Sequence, residues 1–264
     1  MRVSVVIPTY NREASIAAAI LSVAHQTEPP EEIIVVDDGS TDNTRAVIER
    51  LNLPNLVYLY QDNLGGNVAR NRGIEIAKAP WIAFQDSDDY WLPHKLATLR
   101  QEMTRRNMPS IEVAFSSFAL FDPAKRRIRI MPKALADVRE NSVIYDEPIK
   151  QTNTLVANPI STQTLVASKD ILERVGRFDV SLSRFQDWDL AIRLAATSSL
   201  LYVSEPLCYV AISSDSVTRK YQAGIAARRH LLTKHAALYD AYPAARRRAL
   251  IDLRLRELFS WARK

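Results

Sequence analysis

The fold class of this chain follows from one short segment, Ile33-Ile-Val-Val36, and from the residues that continue it, Asp37-Asp-Gly-Ser-Thr-Asp42. The apolar run has no polar alternation, which predicts a strand covered by helices on both faces. Thr41 or Asp42 can cap a helix that follows the turn and extends to about Leu51. A buried strand that leads through a short turn into a helix is the unit from which parallel α/β sheets are built.

The same unit recurs on both sides of that segment. Further strands are predicted at residues 3–8, 56–60 and 81–84, and further helices at residues 13–26 and 67–78. Single helices between strands imply right-handed crossovers, so the sequence predicts a Rossmann-like, mainly parallel central sheet flanked by helices. In such sheets, ligands bind in the crevice beyond the carboxyl ends of the strands.

The remainder of the chain is less regular. The pattern predicts helices at residues 93–106, 169–175, 187–196, 221–235 and 243–261, and strands at 112–120, 127–131 and 161–166. Residues 132–159 carry no strong periodicity. The last two helices are expected to follow the α/β part as C-terminal helices.

Composition narrows the protein class. Of the 264 residues, 47% are hydrophobic and 25% are charged, which excludes disordered and collagen-like chains. No uncharged apolar run approaches the roughly 18 residues that span a bilayer, and Met1-Arg2 runs directly into the first strand rather than into a secretory leader. The single cysteine, Cys208, is expected to be a small buried hydrophobic residue in a reducing compartment. The expectation is a soluble, cytoplasmic protein.

Positive charge is concentrated towards the C-terminal end. Residues 219–264 contain 12 Lys and Arg against 3 Asp and Glu, whereas residues 1–218 contain 23 against 27. This shift predicts a domain at 1–218 and a basic helical extension at 219–264. Arginines interleaved with Leu and Phe favour helices that lie on the inner face of an anionic membrane; the alternative is a pair of helices that cap the domain with a charged outer face. Nucleic-acid binding is not expected, because the tail lacks the aromatic platform of single-strand binders.

Two acidic segments stand where strands end. Asp86-Ser-Asp-Asp89 follows the strand at 81–84, and its three carboxylates repel one another. Clustered hard oxygen ligands suit Mg²⁺ or Mn²⁺; the alternative is a solvated acidic loop. Asp37-Asp38 suits the base or the ribose of a nucleoside, and the alternative is a turn combined with a helix cap.

Two common nucleotide-binding patterns are missing from the sequence. A dinucleotide-dependent oxidoreductase needs G-x-G-x-x-G after the first strand, but Thr9-Tyr10-Asn11 stand there. A P-loop phosphotransferase needs G-x-x-x-x-G-K-[ST], which the chain does not contain. Both classes are therefore disfavoured.

Several ordered sequence blocks carry a family likeness. Within about the first 100 residues they are Val3-Ser-Val-Val-Ile-Pro-Thr-Tyr-Asn-Arg12, Val36-Asp-Asp-Gly-Ser-Thr-Asp-Asn-Thr44, Ala69-Arg-Asn-Arg-Gly73 and Phe84-Gln-Asp-Ser-Asp-Asp-Tyr-Trp91. Two more follow at Val175-Gly-Arg-Phe-Asp179 and Gln186-Asp-Trp-Asp-Leu190. In order and spacing, the set resembles family 2 glycosyltransferases with the GT-A fold. The resemblance implies a nucleotide-binding half at 1–110 and an acceptor-binding half at 111–218.

The resemblance also assigns roles to residues of this chain. The residues implied to bind the sugar nucleotide are Pro8, Thr9, Tyr10, Arg12, Asp37, Asp38, Arg70, Asp86 and Ser87. Among them, Asp38 is expected against the base, and Arg70 at the donor phosphate or, alternatively, on the helix surface. Asp86 and Asp88 correspond to the family's DXD element, which holds a divalent metal, and Asp88 is the stronger candidate as direct ligand. Asp187 falls at the position of the catalytic base.

These assignments imply an inverting, metal-dependent glycosyltransferase. Its donor is expected to be a UDP-sugar, and its acceptor a hydroxyl of a glycan or lipid-linked molecule in bacterial surface polysaccharide synthesis. Mn²⁺ or Mg²⁺ stabilises the leaving diphosphate, and a carboxylate that takes the hydroxyl proton contributes about 10²–10⁴-fold. Attack opposite the leaving group inverts the anomeric carbon, so no second carboxylate nucleophile is needed.

Other polar candidates are given structural roles. Residues two apart on a helix point away from each other, so Asp187 and Asp189 cannot both face the site, and Asp189 is expected to be structural. The histidines share no metal-ligand spacing and are expected at the surface or at helix ends; they are His25, His94, His230 and His235.

Two positions depart from the family pattern. Gln186 stands where the family usually has Glu, and it keeps a hydrogen bond but not a charge. Tyr209-Val-Ala-Ile212 stands where the family commonly has Arg-x-His, and Arg219 or Lys220 is the hypothetical replacement for the lost positive charge. The departures leave a catalytically degenerate nucleotide-sugar-binding or scaffold protein as the alternative, which the retained metal and base carboxylates disfavour.

Overall fold

The strands of the described residues form a single β-sheet. The computed structural model describes residues 1–106, 111–135, 138, 140–211 and 221–261, and within these ranges ten strands form this sheet. The strands are β1 (Val3–Thr9), β2 (Glu32–Asp38), β3 (Leu56–Gln61), β4 (Trp81–Phe84), β5 (Tyr90–Trp91), β6 (Val113–Asp122), β7 (Arg127–Met131), β8 (Ser142–Tyr145), β9 (Val166–Ser168) and β10 (Leu200–Ala211).

Helices flank the sheet and follow it. In the same ranges they are α1 (Ile16–Ala24), α2 (Thr44–Arg50), α3 (Gly66–Ile76), α4 (Lys95–Arg105), α5 (Pro148–Gln151), α6 (Lys169–Arg174), α7 (Gln186–Thr197), α8 (Tyr221–Lys234), α9 (Ala236–Ala241) and α10 (Pro243–Trp261). Short 3₁₀ turns occupy Lys133–Leu135 and Thr162–Thr164.

The strand order is β3-β2-β1-β4-β9-β6-β10-β5. The first four strands in this order are parallel, and β9 runs antiparallel between β4 and β6. β6 and β10 pair in parallel, whereas β5 and β8 pair antiparallel with separate stretches of β10, and β7 pairs antiparallel with β6. The predicted α/β class with a Rossmann-like sheet is confirmed, and its unbroken parallel part is formed by β1 to β4.

Most predicted elements are confirmed within a few residues. The strand predicted at 161–166 is wrong, because a 3₁₀ turn occupies most of it and β9 begins only at Val166. Five elements were not predicted, namely β5, β8, β10, α5 and α9. The pattern of β10 is obscured because its pairing with β6 shifts register between Val203 and Pro206 and again before Tyr209.

The sheet is buried on both faces. All residues of β1 and β2 are buried, and alternate side chains enter two separate apolar clusters. α1 packs Ile16 and Ile20 into one cluster, and α3 packs Ala69 into the other. Gly73 lets α3 approach β1, because a Cβ there would lie only 2.3 Å from Cγ1 of Val6. This close contact fixes where the amino-terminal end of α3 meets the strand ends.

The later strands extend the same sheet. The halves proposed at 1–110 and 111–218 therefore share one sheet, and the boundaries between them and the extension at 219–264 stay predictions. Cys208 is buried, as expected. Each helix in the described ranges is either too short or too polar to span a membrane.

Candidate active site

A cavity of about 1040 Å³ opens where β1, β2 and β4 end. The loops after these strands line it, together with residues 156–158, the start of α7 and parts of α8 and α10. Another hollow, of about 900 Å³, lies near Met1 and Trp81, at the opposite ends of β1 and β4. The segments that were predicted to bind a ligand follow β1, β2 and β4, and residues of all three segments line the first cavity.

The loops after β1 and β2 are tied to each other. The backbone N–H of Asn11 donates to Oγ of Ser40 (2.9 Å), and the backbone N–H of Thr41 donates to Oδ1 of Asn11 (2.8 Å). The backbone N–H of Arg12 donates to Oγ1 of Thr44 (2.8 Å). Asn11 adopts a positive φ of 49°, a conformation that Asn tolerates better than most residues. These bonds give the wall formed by the loops after β1 and β2 a defined shape.

Asp38 lines the cavity and also holds the next loop. Its Oδ1 accepts hydrogen bonds from Nε2 of Gln61 (2.7 Å) and the backbone N–H of Leu64 (2.9 Å), and its Oδ2 accepts one from the backbone N–H of Gly65 (2.9 Å). Gly39 has φ of 86°, and a Cβ there would lie 2.9 Å from the backbone nitrogen of Asn63. Asp38 is therefore placed where a base could reach it.

Asp37 lies beneath the cavity instead of lining it. Its Oδ1 accepts from the backbone N–H of Ser40 (2.9 Å), and its Oδ2 accepts from the hydroxyl of Tyr58 (2.8 Å). Burial and the hydrogen bond to Asp37 raise the pKa of Tyr58. The observed contacts of Asp37 fix the loop, and its predicted part in donor binding stays a prediction.

The remaining residues of the β1 loop face the cavity. Pro8, Thr9, Tyr10 and Arg12 line it. The hydroxyl of Thr9 is buried and, among the residues that the structure describes, finds no hydrogen-bond partner. Tyr10 is 45% exposed. A buried hydroxyl without a partner and an exposed aromatic ring are features that a bound nucleotide can use.

The acidic segment after β4 is crowded. Oδ1 of Asp86 lies 2.8 Å from Nη2 of Arg70, and Oδ2 of Asp88 lies 3.7 Å from Nη2 of Arg12. Burial, followed by the charge of Asp86, raises the pKa of Asp88. The pKa of Asp89 is raised well above its ordinary value by burial and by the other two carboxylates. The carboxylates thus oppose one another's ionisation, which a bound cation would relieve.

The same segment fits a divalent cation shared with a substrate. Asp86, Ser87, Asp88 and Asp89 all line the cavity. Across residues 1–106 and the later described ranges, no three His, Cys, Asp or Glu side chains already form a metal-binding group. Mg²⁺ is commonly held by one or two carboxylates while substrate phosphates and water complete its ligands. Asp86 and Asp88 can supply carboxylates of this kind.

Asp187 lies across the cavity at the start of α7. The chain enters the helix through Phe185, which has a positive φ of 60°. The carboxylate of Asp187 accepts hydrogen bonds from the backbone N–H of Trp188 (2.8 Å) and from Nδ2 of Asn158 (2.8 Å). Burial is the largest cause that raises the pKa of Asp187, and with the charge of Asp86 it outweighs these donors, so that the pKa is about 6. Such a carboxyl group can accept a proton near neutral pH.

Asp189 points away from the cavity, in agreement with the structural role expected for it. Its buried carboxylate lies 2.6 Å from Nη2 of Arg193, 2.8 Å from Nζ of Lys234 and 2.8 Å from Nε2 of His235. His235 is 7% exposed and caps the start of α9, so of the two expected placements, the surface or a helix end, it has the second. The group joins α7 to the end of α8.

The structure thus brings most of the predicted residues to one cavity. Those that line it are Pro8, Thr9, Tyr10, Arg12, Asp38, Arg70, Asp86, Ser87, Asp88 and Asp187. Gln186, which departs from the family pattern, lines it as well. Ile212, Arg219 and Lys220 lie outside the described residues.

Several residues of the cavity were not predicted from the sequence. Arg184 and Asn158 lie beside Asp187, while Arg228 and Arg256 come from the C-terminal helices. The only available signal was that Arg184 stands three residues before Asp187. Arg228 and Arg256 were predicted to face a membrane or, alternatively, to lie on a charged outer face, because a basic helix does not reveal which arginine faces inward.

Fold and site together define a class of protein. A sheet that begins with four parallel strands, with aspartates after β4 and a further carboxylate on a later helix, has the architecture of GT-A glycosyltransferases. The chain belongs to glycosyl transferase family 2, because the model of that family matches residues 4–173. Asp187 lies beyond the matched segment.

Relatives in bacteria carry the same description. An uncharacterized glycosyltransferase of Haemophilus influenzae is 28% identical over 215 residues, which cover 78% of this chain and 67% of that protein. The putative teichuronic acid biosynthesis glycosyltransferase TuaG of Bacillus subtilis is 33% identical over 154 residues, or 57% of this chain and 58% of its own length. The UDP-Glc:alpha-D-GlcNAc-diphosphoundecaprenol beta-1,3-glucosyltransferase WfgD of Escherichia coli is 37% identical over 107 residues, or 40% of this chain and 42% of its own. The chain thus matches only part of each relative.

Solved structures share the fold. The crystal structure of S. aureus TarS 1-349 in complex with UDP-GlcNAc is similar with a TM-score of 0.69 and 22% identity, over 88% of this chain and 67% of that one. The structure of TarS 1-349 in complex with UDP is similar with a TM-score of 0.65 and the same identity, over 66% of the TarS chain. At this identity the likeness establishes the fold.

Proposed function

We propose that this chain is an inverting glycosyltransferase that moves a sugar from a UDP-sugar to a hydroxyl of a glycan or lipid-linked acceptor in bacterial surface polysaccharide synthesis. The observation that carries the proposal is the single cavity shared by Asp187 and the strand-end aspartates. Family membership supports the reaction class. The names of TuaG and WfgD support the pathway class.

The donor is proposed to lie over the ends of β1 and β2. Thr9 offers an unpartnered buried hydroxyl, Tyr10 offers a ring, and Asp38 offers carboxylate oxygens. UDP is the favoured nucleotide because TarS is described with UDP and UDP-GlcNAc, and WfgD is named for UDP-Glc. Arg70 is proposed to face the donor phosphates from α3.

Asp86 and Asp88 are proposed to hold Mn²⁺ or Mg²⁺. Asp88 is the stronger ligand candidate, because Asp86 is already paired with Arg70 at 2.8 Å, whereas the cation nearest Asp88 is Arg12 at 3.7 Å. When bound, such an ion neutralises the charge that develops on a departing diphosphate. Arg70 keeps a positive charge beside Asp86.

Asp187 is proposed to be the general base. Its carboxylate accepts the proton of the acceptor hydroxyl as the oxygen forms a bond to the anomeric carbon and the bond to the diphosphate breaks. Asn158 and the backbone of Trp188 hold the carboxylate by hydrogen bonds. Only one carboxylate is needed on the acceptor side, because a single displacement inverts the anomeric carbon.

A nucleotide-release assay tests the proposal. We expect purified chain to release UDP from a UDP-sugar, in a panel of donors, when Mn²⁺ or Mg²⁺ is present and to stop when EDTA is added. Asp88→Asn should lower release by at least about tenfold, since it removes a charged ligand. The matched control is Asp170→Asn, because Asp170 is an exposed carboxylate on α6 outside the cavity.

The outcomes separate the two hypotheses for the chain. Release that does not depend on metal contradicts the roles of Asp86 and Asp88. Tight UDP binding without release from any donor, with or without sugar acceptors, would instead favour the degenerate nucleotide-sugar-binding protein. The first variant that tests this alternative is Gln186→Glu, because it restores the residue that the family usually has at this position.

The solvent-facing side of α10 is proposed to rest on the inner face of an anionic membrane. Ile251, Leu255, Leu258 and Phe259 are between 48% and 68% exposed there. Exposed arginines alternate with them; these are Arg247, Arg248 and Arg254. Apolar side chains flanked by arginines favour insertion at an anionic headgroup region.

Vesicle sedimentation tests the membrane contact. The chain should sediment with vesicles that contain anionic phosphatidylglycerol at low salt, and less with pure phosphatidylcholine or at high salt. Leu255→Glu with Leu258→Glu should abolish sedimentation without changing the rate at which UDP is released from the donor when a soluble acceptor is present. Failure of the unaltered chain to sediment with anionic vesicles contradicts the proposal.

A further inference from the structure

The C-terminal helices reach the side of the cavity next to Asp187. Arg228 of α8 and Arg256 of α10 line the cavity there, and Arg184 enters from the turn before α7. The backbone of α8 passes close to Arg184 at Gly224, where an added Cβ would lie 3.6 Å from guanidinium nitrogens. We refer to Arg184, Arg228 and Arg256 as the arginine cluster.

Aromatic rings lie against two arginines of the cluster, Arg184 and Arg228. The guanidinium carbon of Arg228 lies 4.7 Å from the ring centroid of Trp188 and 5.4 Å from that of Phe185, and the guanidinium carbon of Arg184 lies 5.2 Å from that of Phe185. The indole N–H of Trp188 donates to the carbonyl oxygen of Thr154 (2.6 Å), which fixes the ring. When an aromatic ring covers the face of a planar guanidinium group, the N–H donors of that group point outward within its plane.

A carboxylate of α10 lies between two arginines of the cluster. In the described part of the chain, the carboxylates on this side of the cavity are Asp187 and Asp252. Oδ2 of Asp252 accepts a hydrogen bond from Nε of Arg256 (2.8 Å) and lies 3.1 Å from Nη1 of Arg228. Burial and then repulsion by Arg256 lower the pKa of Arg228. Like charges gathered at a cavity wall are stabilised when an anion binds between them.

We propose that the arginine cluster binds a phosphate or diphosphate group of the acceptor, close to the sugar whose hydroxyl is glycosylated. The inference rests on the proposed function, because it takes Asp187 as the base beside the acceptor. Phosphate is favoured over a neutral acceptor because forked guanidinium donors match its several oxygens. The donor diphosphate has its own expected place beside Asp86 and Asp88, so the arginine cluster serves a second anion.

Binding of small phosphate compounds tests the arginine cluster without any need for turnover. Calorimetry on the full chain with saturating UDP and Mn²⁺ should detect octyl diphosphate, which represents a lipid-linked diphosphate, or glycerophosphoglycerol, which represents a polymer phosphodiester. Whichever binds more tightly identifies the source of the phosphate. Octyl glucoside should bind at least about tenfold more weakly than the better of the two, since it offers no charge.

Matched variants locate the binding. Arg228→Gln should weaken binding of the phosphate compound at least about tenfold, and Arg256→Gln should do so even if Arg228→Gln does not fold. The control is Arg229→Gln, because Arg229 is the exposed neighbour of Arg228 and pairs with Glu257. It should leave the affinity unchanged. Thermal melting checks that each variant is folded.

Several results would overturn the inference. They are no binding of either phosphate compound by the unaltered chain, equal weakening by Arg229→Gln and Arg228→Gln, or tighter binding of octyl glucuronide than of either phosphate compound. Loss of binding in Arg70→Gln but not in Arg228→Gln would place the anion at the donor site instead and would equally contradict it.

Failure of this inference can be told apart from failure of the proposed function. A chain that binds octyl diphosphate through Arg228 but releases no UDP from any donor contradicts the transferase proposal and leaves the anion site standing. A chain that glycosylates octyl glycosides and octyl glycosyl-diphosphates of the same sugar with equal kcat/KM contradicts the role of the arginine cluster alone.

Discussion

Replacing the carboxylate of Asp187 is the sharpest perturbation of the proposed chemistry. Asp187→Asn keeps the size of the side chain and removes its capacity to take a proton. A positioned general base contributes about 10²–10⁴-fold, so we expect kcat to fall by that factor. Donor KM should change by less than about twofold, because the donor is expected at the opposite wall, near Asp38 and Asp86.

The pH dependence of kcat/KM provides a second test of the same prediction. The pKa of Asp187 is raised to about 6, chiefly by burial. Because the ionised form is the base, kcat/KM should rise with pH and level off above about pH 7. At pH 5 only about one tenth of the molecules carry the carboxylate, so the rate there should be about tenfold below the plateau. Asp187→Asn should lack this limb.

The assay is UDP release with the acceptor in excess, from pH 5 to 8, on the unaltered chain and on both Asp187→Asn and Asp187→Ala. The second variant is needed because Asn158 and the backbone of Trp188 both donate to Asp187, so an amide must turn its own N–H towards one donor. Equal losses in both variants attribute the effect to the missing base. A variant with full activity, or one that keeps the pH limb, refutes the reasoning.

Three other substitutions test the site and its supports. Thr9→Val should leave the unfolding free energy within about 0.5 kcal/mol, since the hydroxyl has no partner among the described residues, but should raise donor KM several-fold in steady-state kinetics. Gly73→Ala should cost about 1–3 kcal/mol in urea unfolding, because its Cβ meets Val6, and Val6→Ala in the same chain should recover part of the loss. Asp189→Asn should cost about 3 kcal/mol at pH 7; since its cationic partners lower the pKa of Asp189, the difference should shrink as the pH falls below about 4. An undiminished difference at pH 2 would contradict that account.

The wall of the cavity that is proposed to bind the donor could be predicted because its residues lie in short contiguous segments of the sequence. Each strand end in the parallel unit carries its polar residues directly after the apolar run, and parallel strands bring those ends together. Asp38 and the segment from Asp86 to Asp89 were found in this way. Asp37, with the same local pattern as Asp38, lies below the cavity, because successive residues of a strand point to opposite faces.

The wall that is proposed to bind the acceptor could not be predicted by the same reasoning. It is assembled from segments far apart in the chain, including residues 156–158, α7, α8 and α10. Periodicity identifies α8 and α10 as helices but does not say which arginine faces inward. Arg228 and its neighbour Arg229 differ only in their place around the helix, and tertiary packing leaves the side chain of the first 20% exposed and that of the second 65% exposed.

The segment Gln186-Asp-Trp-Asp189 links the start of α7 to α8. Asp187 faces the cavity, and Asp189, two residues later, faces the opposite way and binds Lys234 at the end of α8. Six residues separate Lys234 from Arg228, or about 9 Å along a helix. The ion pair at Lys234 therefore sets the position of Arg228, whose guanidinium lies over the ring of Trp188. Trp188 stands between Asp187 and Asp189 in the sequence. One short motif thus supplies the proposed base, the platform for the proposed anion site, and the attachment of the helix that carries it.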